Sequence, residues 1–502
     1  MPDDRPNVLF LMSDQHSFRH VGFSGRETPA ATPAIDGLAE SGTVLDATYC
    51  PVPLCTPSRM CTLTGREAQR CGAWENWLRL DPELPTLPGV FSAAGYDTCL
   101  VGKMHLGGDR QFVGFEDRPY GDLTGGVGHQ TEPPMSYWER EWEGNPKGWQ
   151  GNPGHPAPHV TGIPESLLQE RTVYEESVAW LREQGEDPWF LCASFSRPHG
   201  PLTAPERHLD GHDDVSMPAV WPDSLDHPAA PGEGNDREAM LTERGAYMAC
   251  VEFLDEVIGD LLATLDREGY LENTVVVYTS DHGDMAGEHG LWWKQSWQEG
   301  SSHVPMAIRT PEHRAGERDP ADIETPTSLL DLYPTLCSLA GVEYPDDLDG
   351  ADLSAAVETG TEPDRGPVVC DTTAGLAEGL AFRMVRDGDY KYVRFRDAPP
   401  LLFDVASDPK ETENLARGDL PAAGEELAAY AEETLDFDAV EAGVERAREE
   451  RDDHTLPIPP GTGNAYLMPD GRLVDAATPL YQPDELAWEP ADVFEDYPGD
   501  DN

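Results

Sequence analysis

Short apolar segments that alternate with amphipathic segments constrain the fold of this 502-residue chain more than any other feature. Apolar runs of this kind are typical of strands buried on both faces, and they lie at residues 7–13, 96–101, 189–195 and 274–280. Segments with helical periodicity lie at residues 32–42, 86–95, 165–185 and 243–269. Strands that alternate with helices over roughly 350 residues predict an α/β fold, a large and mostly parallel sheet with helices on both faces. The first helix is expected to have Thr32 as its N-cap and Pro33 as its first residue.

The pattern changes near residue 365. Residues 382–396 alternate around Asp387 and Gly388, which predicts a β-hairpin, and residues 401–405 add a strand. Residues 420–450 are rich in Ala and Glu and predict one helix. We therefore expect three units, which are an α/β domain at 1–364, a smaller α+β domain with a short antiparallel sheet at 365–450, and an extended acidic, Pro-rich tail at 451–502.

The charge of the chain excludes one class of function. Asp and Glu number 94 against 35 Lys and Arg, a formal net charge of −59, whereas nucleic-acid binding requires clustered cations.

No apolar stretch approaches the ~20 residues of a membrane span, and the N-terminus lacks the features of a secretory signal. We expect no membrane partner and a cytoplasmic location. At 1 M salt the Debye length is only ~3 Å and screens self-repulsion, so the acidic excess favours a halophilic protein.

The nine cysteines are irregularly spaced and contain no C-x-x-C pair, so we expect neither a disulfide framework nor a structural zinc site. Cys55 lies in the segment CTPSR, residues 55–59. Thr56 and Pro57 are predicted as the N-cap and first residue of a helix that ends at Thr64. Cys55 would then lie just ahead of a helix N-terminus, where amide donors favour negative charge. On the pentapeptide alone, a buried structural thiol is an equally good interpretation.

Polar side chains follow the ends of the four predicted strands. In open parallel α/β sheets, ligands bind beyond the carboxyl ends of the strands, so these side chains are expected to share one pocket. Carboxylate oxygens there suit a hard divalent cation, and a cluster of cations suits an anionic tetrahedral group. The side chains are Asp14, Gln15, Lys103, His105, His199, Asp281 and His282, together with Arg59 and Lys294.

These motifs together resemble the type I sulfatases of the alkaline-phosphatase superfamily. CTPSR fits their C-x-P-x-R signature, in which the Cys is oxidised to formylglycine. The family's GKxHLG segment, DHG block, K…EGS…VP run and closing D…DP…E…NL motif match residues 102–107, 280–289, 294–305 and 404–415. The matches follow the family's order along the chain, which chance rarely produces.

The resemblance implies an alkaline-phosphatase-like fold and a metal site for a divalent ion, usually Ca²⁺, with Mg²⁺ or Mn²⁺ as alternatives. Formylglycine at position 55 would supply one oxygen ligand. Gln15 stands where many relatives have Asp, which removes one negative charge, and His282 stands where some have Asn. The implied metal ligands are Asp14, Gln15, Cys55 as formylglycine, Asp281 and His282.

The resemblance also implies catalytic roles. The hydrated aldehyde at position 55 offers one hydroxyl that attacks sulfur and a second whose deprotonation expels sulfate. Arg59 would steady the formylglycine, and Lys103 and Lys294 would hold sulfate oxygens. His199 would donate a proton to the leaving alcohol, and His105 would act as the base on the second hydroxyl.

Three functions stay open at this point. The first is a sulfuric ester hydrolase, the second a phosphonate monoester or phosphodiester hydrolase, and the third a binding protein in which Cys55 stays unmodified. For the first, the implied partners are a small anionic sulfate ester and a formylglycine-generating or sulfatase-maturing enzyme. Choline sulfate, sulfated sugars and aryl sulfates all need the same core, and the choice among them depends on loops such as 106–160 and 205–240.

Overall fold

A computed structural model describes the parts of the chain that build the core and the site. The described residues are 5–25, 30–76, 78–106, 112–120, 159–160, 165–200, 202–209, 212, 227–228, 237–375, 379–453, 465–467 and 473–475. Most of loops 106–160 and 205–240, which we expected to set specificity, and most of the tail 451–502 lie outside them.

The described strands and helices alternate through the first two thirds of the chain. The strands are β1 (Asn7–Asp14), β2 (Thr43–Leu45), β3 (Thr48–Tyr49), β4 (Asp97–Gly102), β5 (Asp117–Tyr120), β6 (His159–Val160), β7 (Trp189–Pro198), β8 (Thr203–Ala204), β9 (Thr274–Ser280), β10 (His303–Val304), β11 (Met306–Arg309), β12 (Ala321–Ile323), β13 (Thr327–Ser328), β14 (Val368–Thr372), β15 (Phe382–Asp387), β16 (Tyr390–Phe395), β17 (Leu401–Asp404), β18 (Ala465–Leu467) and β19 (Leu473–Asp475). The helices are α1 (Pro33–Glu40), α2 (Cys55–Thr64), α3 (Ala68–Cys71), α4 (Leu87–Ala93), α5 (Gln169–Glu183), α6 (Glu206–Leu209), α7 (Arg237–Arg267), α8 (Glu299–Ser302), α9 (Pro311–Ala315), α10 (Leu332–Ala340), α11 (Ser354–Thr359), α12 (Ala422–Thr434) and α13 (Phe437–Asp453).

Eight strands form one large sheet in the order β12-β2-β11-β9-β1-β7-β4-β5. β1 lies near its centre and pairs in parallel with β7 and β9, and β4 continues the parallel pairing beyond β7. Within this sheet only β11 runs opposite to the others. The prediction of a large, mostly parallel sheet is therefore confirmed, and all four predicted strands are among its members.

Helices cover both faces of the sheet because successive residues of its central strands point to opposite sides. Phe10 and Val277 belong to one hydrophobic cluster, while Leu11 and Tyr278 belong to another. Helices α1, α5 and α7 pack on the second cluster, and α2, α4 and α10 pack on the first. This sandwich places the strand ends, with their polar side chains, at one rim of the sheet.

Helix α1 begins as predicted, with Thr32 as the N-cap and Pro33 as the first residue, but its first amides are bonded by a different residue. Thr32 occupies the N-cap position, but its side chain makes no capping bond and instead donates to Asp36 at 3.0 Å. The amides of Ala34 and Ile35 donate to the Asp255 carboxylate on α7, at 3.1 and 2.9 Å. A carboxylate from another helix therefore satisfies the first amides of α1, which a local sequence pattern does not reveal.

The predicted helix at 420–450 is wrong in one respect, because the chain forms two helices there. Leu435 adopts extended backbone angles at the end of α12, and its side chain is buried. The Asp436 carboxylate accepts the amide of Asp438 at 2.9 Å in the first turn of α13. The high helix propensity of Ala and Glu hides such a break in the sequence. Of the other predicted helices, 165–185 begins as a 3₁₀ turn (Glu165–Leu167) before α5, and 243–269 begins six residues earlier, at Arg237.

Strands β14, β15, β16 and β17 form a second, antiparallel sheet in that order. The predicted hairpin is confirmed: Asp387 pairs with Tyr390 across a turn in which Gly388 has a φ of 49°. Phe382 and Val393 of this sheet share the hydrophobic cluster that covers one face of the large sheet. The C-terminal sheet therefore lies on the same core as the strands that carry the polar side chains. Among the described helices, none has the length and hydropathy to cross a membrane.

Candidate active site

Two of the four strand ends and the start of α2 bring their polar side chains into one buried cluster. Ligand atoms of Asp14, Cys55, Asp281 and His282 all lie within 4.8 Å of one another. All four side chains are fully buried. β1 supplies Asp14, Asp281 and His282 directly follow β9, and α2 supplies Cys55, so the parallel order of the sheet makes this meeting possible.

Helix α2 begins two residues earlier than predicted, because Cys55 and not Pro57 is its first residue. Cys55 is the first residue of α2 and Leu54 is its N-cap, whereas Thr56 had been predicted as the cap. Thr56 instead donates its amide to the Asn76 side chain at 3.0 Å and its hydroxyl to the carbonyl of His105. Helix starts are commonly uncertain by one or two residues when local sequence is the only guide.

The Cys55 thiol faces a carboxylate and an imidazole. Its Sγ lies 3.2 Å from Nε2 of His282 and 3.9 Å from Oδ1 of Asp14. Burial, together with the charge of Asp14, raises the pKa of this thiol to about 11. The thiol is therefore neutral at pH 7, and the helix N-terminus does not make it a thiolate.

Arg59 holds the two carboxylates of the cluster. Its Nε lies 2.7 Å from Asp281 Oδ2 and one terminal nitrogen lies 3.2 Å from Asp14 Oδ2. The other terminal nitrogen donates to the carbonyl of Lys103 at 2.7 Å and to the Ser194 hydroxyl at 2.8 Å. Although burial opposes the charge, the two carboxylates raise the pKa of Arg59 above its usual value. The planar guanidinium suits this role because it presents several donors in a fixed fork.

Two lysines add positive charge to the same pocket. Lys103 Nζ lies 2.7 Å from Asp14 Oδ2, and Lys294 Nζ donates to Oε1 of Gln15 at 2.5 Å. Burial alone would raise the pKa of Asp14, but the charges of Lys103 and Arg59 outweigh it and hold that pKa well below its usual range. Both carboxylates of the cluster thus lie among cations.

Gln15 is bonded on both sides of its amide. Its oxygen accepts from Lys294, and its nitrogen donates to Asp284, whose other oxygen accepts the amides of Ala286 and Trp293 at 2.7 and 3.1 Å. Gln15 has a φ of 72°, a left-handed conformation that is uncommon for residues other than glycine. This turn directs the chain away from the sheet immediately after Asp14.

The histidines of the site are oriented by backbone carbonyls. Nδ1 of His282 lies 3.0 Å from the carbonyl of Gly283, and Nδ1 of His199 lies 2.7 Å from that of Gly200. Burial lowers the pKa of both rings, and for His199 the charges of Lys294 and Lys103 lower it further. Each ring is therefore neutral with its proton on Nδ1, which leaves Nε2 as an acceptor or ligand atom.

His105 follows β4 and has a φ of 62°, and its carbonyl is the acceptor for Thr56. His199 is held by its amide, which donates to the carbonyl of Asp14 at 3.1 Å. Its ring lies 6.2 Å from that of Trp293, centre to centre. All ten predicted site residues are buried, and hydrogen bonds or ion pairs link each of them to this region.

The donor set fits a divalent cation once position 55 carries oxygen. Asp14 and Asp281 present carboxylate oxygens and His282 presents a ring nitrogen, and these atoms lie within 4.8 Å of one another. Hard cations prefer oxygen ligands, so the cysteine sulfur is the poorest member of the set. Oxidation of Cys55 to an aldehyde would replace that sulfur by oxygen.

Three supporting residues were missed by sequence reasoning. Ser194 accepts from Arg59, Ser58 donates its hydroxyl to the carbonyl of Asp281 at 2.5 Å, and Tyr247 donates to the carbonyl of Gln15 at 2.7 Å. Ser194 lies inside a strand and Tyr247 inside a helix, where polar residues are read as ordinary members of the element. Only the position of Ser58 within CTPSR, at 55–59, marked it in the sequence.

Comparison with protein families decides the identity of the chain. The profile described as Sulfatase matches residues 6–342, well over half of the chain, and the profile described as N-sulphoglucosamine sulphohydrolase, C-terminal, matches residues 287–425. The chain belongs to the sulfatase family. It is an enzyme of the alkaline-phosphatase superfamily, as the motifs predicted.

Similar proteins support this assignment. Choline-sulfatase of Rhizobium meliloti (strain 1021) is 31% identical to this sulfatase over 446 residues, 83% of each protein. The structure of phosphonate monoester hydrolase of Agrobacterium radiobacter has a TM-score of 0.68 at 24% identity and covers 94% of this chain and 99% of its own. A protein solved with its substrate D-glucosamine-2-N,6-O-disulfate has a TM-score of 0.66 at 22% identity, covering 89% of this chain and 98% of its own. At these identities the structural likeness establishes the fold.

Proposed function

We propose that this sulfatase hydrolyses a small sulfate monoester to an alcohol and sulfate, with Cys55 converted to formylglycine as the nucleophile. The observation that carries the proposal is the place of Cys55, whose Sγ lies 3.2 Å from His282 Nε2 and 3.9 Å from Asp14 Oδ1. Hydrated formylglycine would supply one hydroxyl to attack sulfur and a second to expel sulfate afterwards.

Lys103, Lys294 and Arg59 support binding of the anionic sulfo group. Arg59 and Lys103 pair with the carboxylates of Asp14 and Asp281, whereas Lys294 donates to the amide oxygen of Gln15, so three cations are gathered at this site in a strongly acidic protein. In a buried site such charges act at low dielectric and need no reorganisation when charge develops on sulfate oxygens. Arg59 orients Asp14 and Asp281, whereas Lys103 and Lys294 are proposed to contact the substrate.

His199 is proposed to protonate the leaving oxygen through Nε2. Its Nδ1 proton is committed to the carbonyl of Gly200, so any further proton is carried at Nε2. Lys103 and Lys294 lower the pKa of His199 in the free protein, and an anion bound between them offsets this effect. Protonation of His199 would therefore accompany substrate binding. His105 is proposed as the base on the second hydroxyl.

Asp14, Asp281, His282 and the oxygen at position 55 are the proposed ligands of a divalent cation, Ca²⁺ by preference and Mg²⁺ or Mn²⁺ as alternatives. When bound, the cation would lower the pKa of a ligating hydroxyl and stabilise negative charge. Gln15 would join this set only by giving up the contact of its oxygen with Lys294.

The burial of Cys55 has a consequence for its maturation. No part of the residue is exposed in the folded chain, so the proposed formylglycine-generating or sulfatase-maturing enzyme would act before the fold closes. All nine cysteines are free and buried, which supports the proposed cytoplasmic, reducing location.

A phosphonate monoester hydrolase is the second candidate, supported by the likeness to the Agrobacterium radiobacter enzyme. The test co-expresses the full chain with a formylglycine-generating enzyme and identifies the residue at position 55 by peptide mass spectrometry. It then compares kcat/KM for an aryl sulfate and the matching aryl phosphonate monoester. Cys55→Ala is the test variant and Cys337→Ala, another buried thiol, is its matched control. An unmodified but active Cys55 would overturn the proposed nucleophile, and a higher kcat/KM for the phosphonate would favour the second candidate.

A further inference from the structure

A cluster of buried charges joins the C-terminal sheet to α8, outside the site described above. Lys391 on β16 places its Nζ 2.8 Å from Oε1 of Glu299 and 2.7 Å from Oε1 of Glu411. The side chains of Lys391 and Glu411 are 0% exposed and that of Glu299 is 4% exposed. Buried charges are rare unless paired, so an ion triad of this kind requires an explanation.

The backbone around Glu411 is bent to deliver its carboxylate. Glu411 has a φ of 54°, in the left-handed region, and it lies in the closing motif 404–415. Non-glycine residues adopt this region mainly where surrounding structure demands it. The second carboxylate oxygen of Glu411 accepts a hydrogen bond from the amide of Glu299 at 2.8 Å. The Glu411 side chain therefore binds both the Lys391 ammonium group and the backbone of α8.

Glu299 is also held by a small three-stranded sheet, β10-β3-β13, to which Tyr49 and His303 belong. Tyr49 donates its hydroxyl to Oε1 of Glu299 at 2.9 Å, and Nδ1 of His303 lies 2.7 Å from Oε2. Glu299 therefore fixes the single turn α8 between this small sheet and the C-terminal sheet.

Helix α8 also contacts the backbone that orients the His282 ring. The amide of Gly283 donates to the carbonyl of Ser301 at 2.8 Å, and the carbonyl of Gly283 lies 3.0 Å from Nδ1 of His282. The backbones pack tightly here, since a Cβ on Gly283 would come within 2.1 Å of the carbonyl oxygen of Gly300. A displacement of α8 would therefore displace Gly283 and rotate the His282 ring whose Nε2 faces Cys55.

A second contact joins the same loop to the site. Arg19 donates to the carbonyl of Pro409 at 2.6 Å, and its Nε lies 2.9 Å from Glu288 in the segment that follows His282. The loop that carries Glu411 thus contacts Glu299 directly and reaches Glu288 through Arg19.

We propose that Lys391 is a positioning residue for the active site: with Glu411 it holds Glu299 and α8, and through Gly283 it fixes the orientation of His282. The proposal rests on the proposed function for its kinetic consequence, but not for its structural one. It gives the C-terminal sheet a part in catalysis although none of its side chains is placed among the reacting groups. Partners that orient a ligating imidazole typically contribute about 10- to 100-fold to metal affinity or activity.

The test compares Lys391→Met with Arg383→Met in the full chain. Arg383 is the matched control because it is also buried and lies on the adjacent strand β15. Its ion pairs go instead to Asp371 and Glu67, each at 2.7 Å. Hydrogen exchange of peptides spanning 281–286 and 299–304 is followed by mass spectrometry. It measures how firmly Gly283 and α8 are held, and it does not require turnover. Kinetics on an aryl sulfate give kcat and KM separately, and Lys391→Arg tests rescue by the conservative change.

We expect Lys391→Met to exchange faster at both peptides and to lose about 10- to 100-fold in kcat, with KM within about threefold of the parent. Arg383→Met should leave both peptides and kcat unchanged, and Lys391→Arg should restore part of the loss. If Lys391→Met fails to fold, Glu411→Gln replaces it, with the same expected direction and a smaller effect. Unchanged exchange at 281–286, or the same change in Arg383→Met, would overturn the proposal. An inactive parent enzyme would overturn the proposed function alone, because the exchange comparison would still stand.

Discussion

Replacement of Arg59 by methionine provides the sharpest test of how the site is held together. The side chain is fully buried and makes ion pairs of 2.7 Å with Asp281 and 3.2 Å with Asp14. Methionine fills a similar length but leaves two buried carboxylates without their shared cation. Removing one partner of a buried ion pair typically destabilises a protein by about 3–5 kcal/mol. We expect a loss of this size in the free energy of unfolding of Arg59→Met.

Arg59→Lys separates the charge from the geometry. Lysine retains the positive charge but not the fork that reaches the Lys103 carbonyl and the Ser194 hydroxyl as well as both carboxylates. Two neutral hydrogen bonds at about 1 kcal/mol each predict a loss of about 2 kcal/mol. The lysine variant should therefore be more stable than the methionine variant by about 1–3 kcal/mol, the net effect of the charge.

Urea unfolding at pH 7, followed by tryptophan fluorescence and by far-UV circular dichroism, measures both losses. The matched control is Arg365→Met, which removes a partly buried arginine whose guanidinium pairs with Asp331 away from the site. Both Arg59 variants should lose aryl sulfatase activity, whereas the control should keep it. A loss below about 1 kcal/mol for Arg59→Met, or equal losses for Met and Lys, would refute the account of Arg59 as the shared cation of two buried carboxylates.

Three further predictions concern the nucleophile, pH and salt. Cys55→Ala should abolish aryl sulfate turnover while the circular dichroism spectrum and urea midpoint stay close to those of the parent, and a near-normal kcat would contradict the assigned role. Burial raises the pKa of Asp255 to about 6 from 3.8. Between pH 4 and 6 the folded state therefore binds a proton that the unfolded state has released. The free energy of unfolding, relative to that of Asp255→Asn, should fall by on the order of 3 kcal/mol as pH rises from 4 to 6 and then stay level. A relative free energy of unfolding that rises with pH would contradict this prediction. Because the net charge is −59, raising KCl from 0.1 to about 1 M should raise the urea midpoint, and a fall would oppose the proposed halophilic character.

Hydrophobic patterning was sufficient to predict the parts of the fold that depend on local periodicity. The run TVVVYTS forms β9 with the predicted bounds, Thr274–Ser280. A strand that is buried on both faces has a nearly continuous run of apolar residues, which is easy to recognise in a sequence. The hairpin between β15 and β16 was equally readable from Asp387 and Gly388. The antiparallel direction of β11 could not be predicted, because the sequence of a four-residue strand does not indicate its orientation in a sheet.

The candidate site was predicted to the level of its members but not of its contacts. The order of the motifs predicted that Asp14, Cys55 and Asp281 share one site, because parallel strands end at the same rim of the sheet. The hydrogen bonds of Gln15 to Lys294 and Asp284, and the start of α2 at Cys55, emerged only in the folded chain. Local signals such as a Thr-Pro pair compete with long-range partners, and at Thr56 the partners Asn76 and His105 prevailed.

The sequence by itself determined the α/β class, the order of strands and helices, and the set of charged residues available at the strand ends. Only the tertiary structure decided which cation faces which carboxylate, and that Lys391 meets Glu299 across 92 positions of chain. The physical reason is that apolar periodicity records which face of an element is buried, a property of neighbouring residues. The pairing of buried charges depends on distances that exist only after the sheets have packed together.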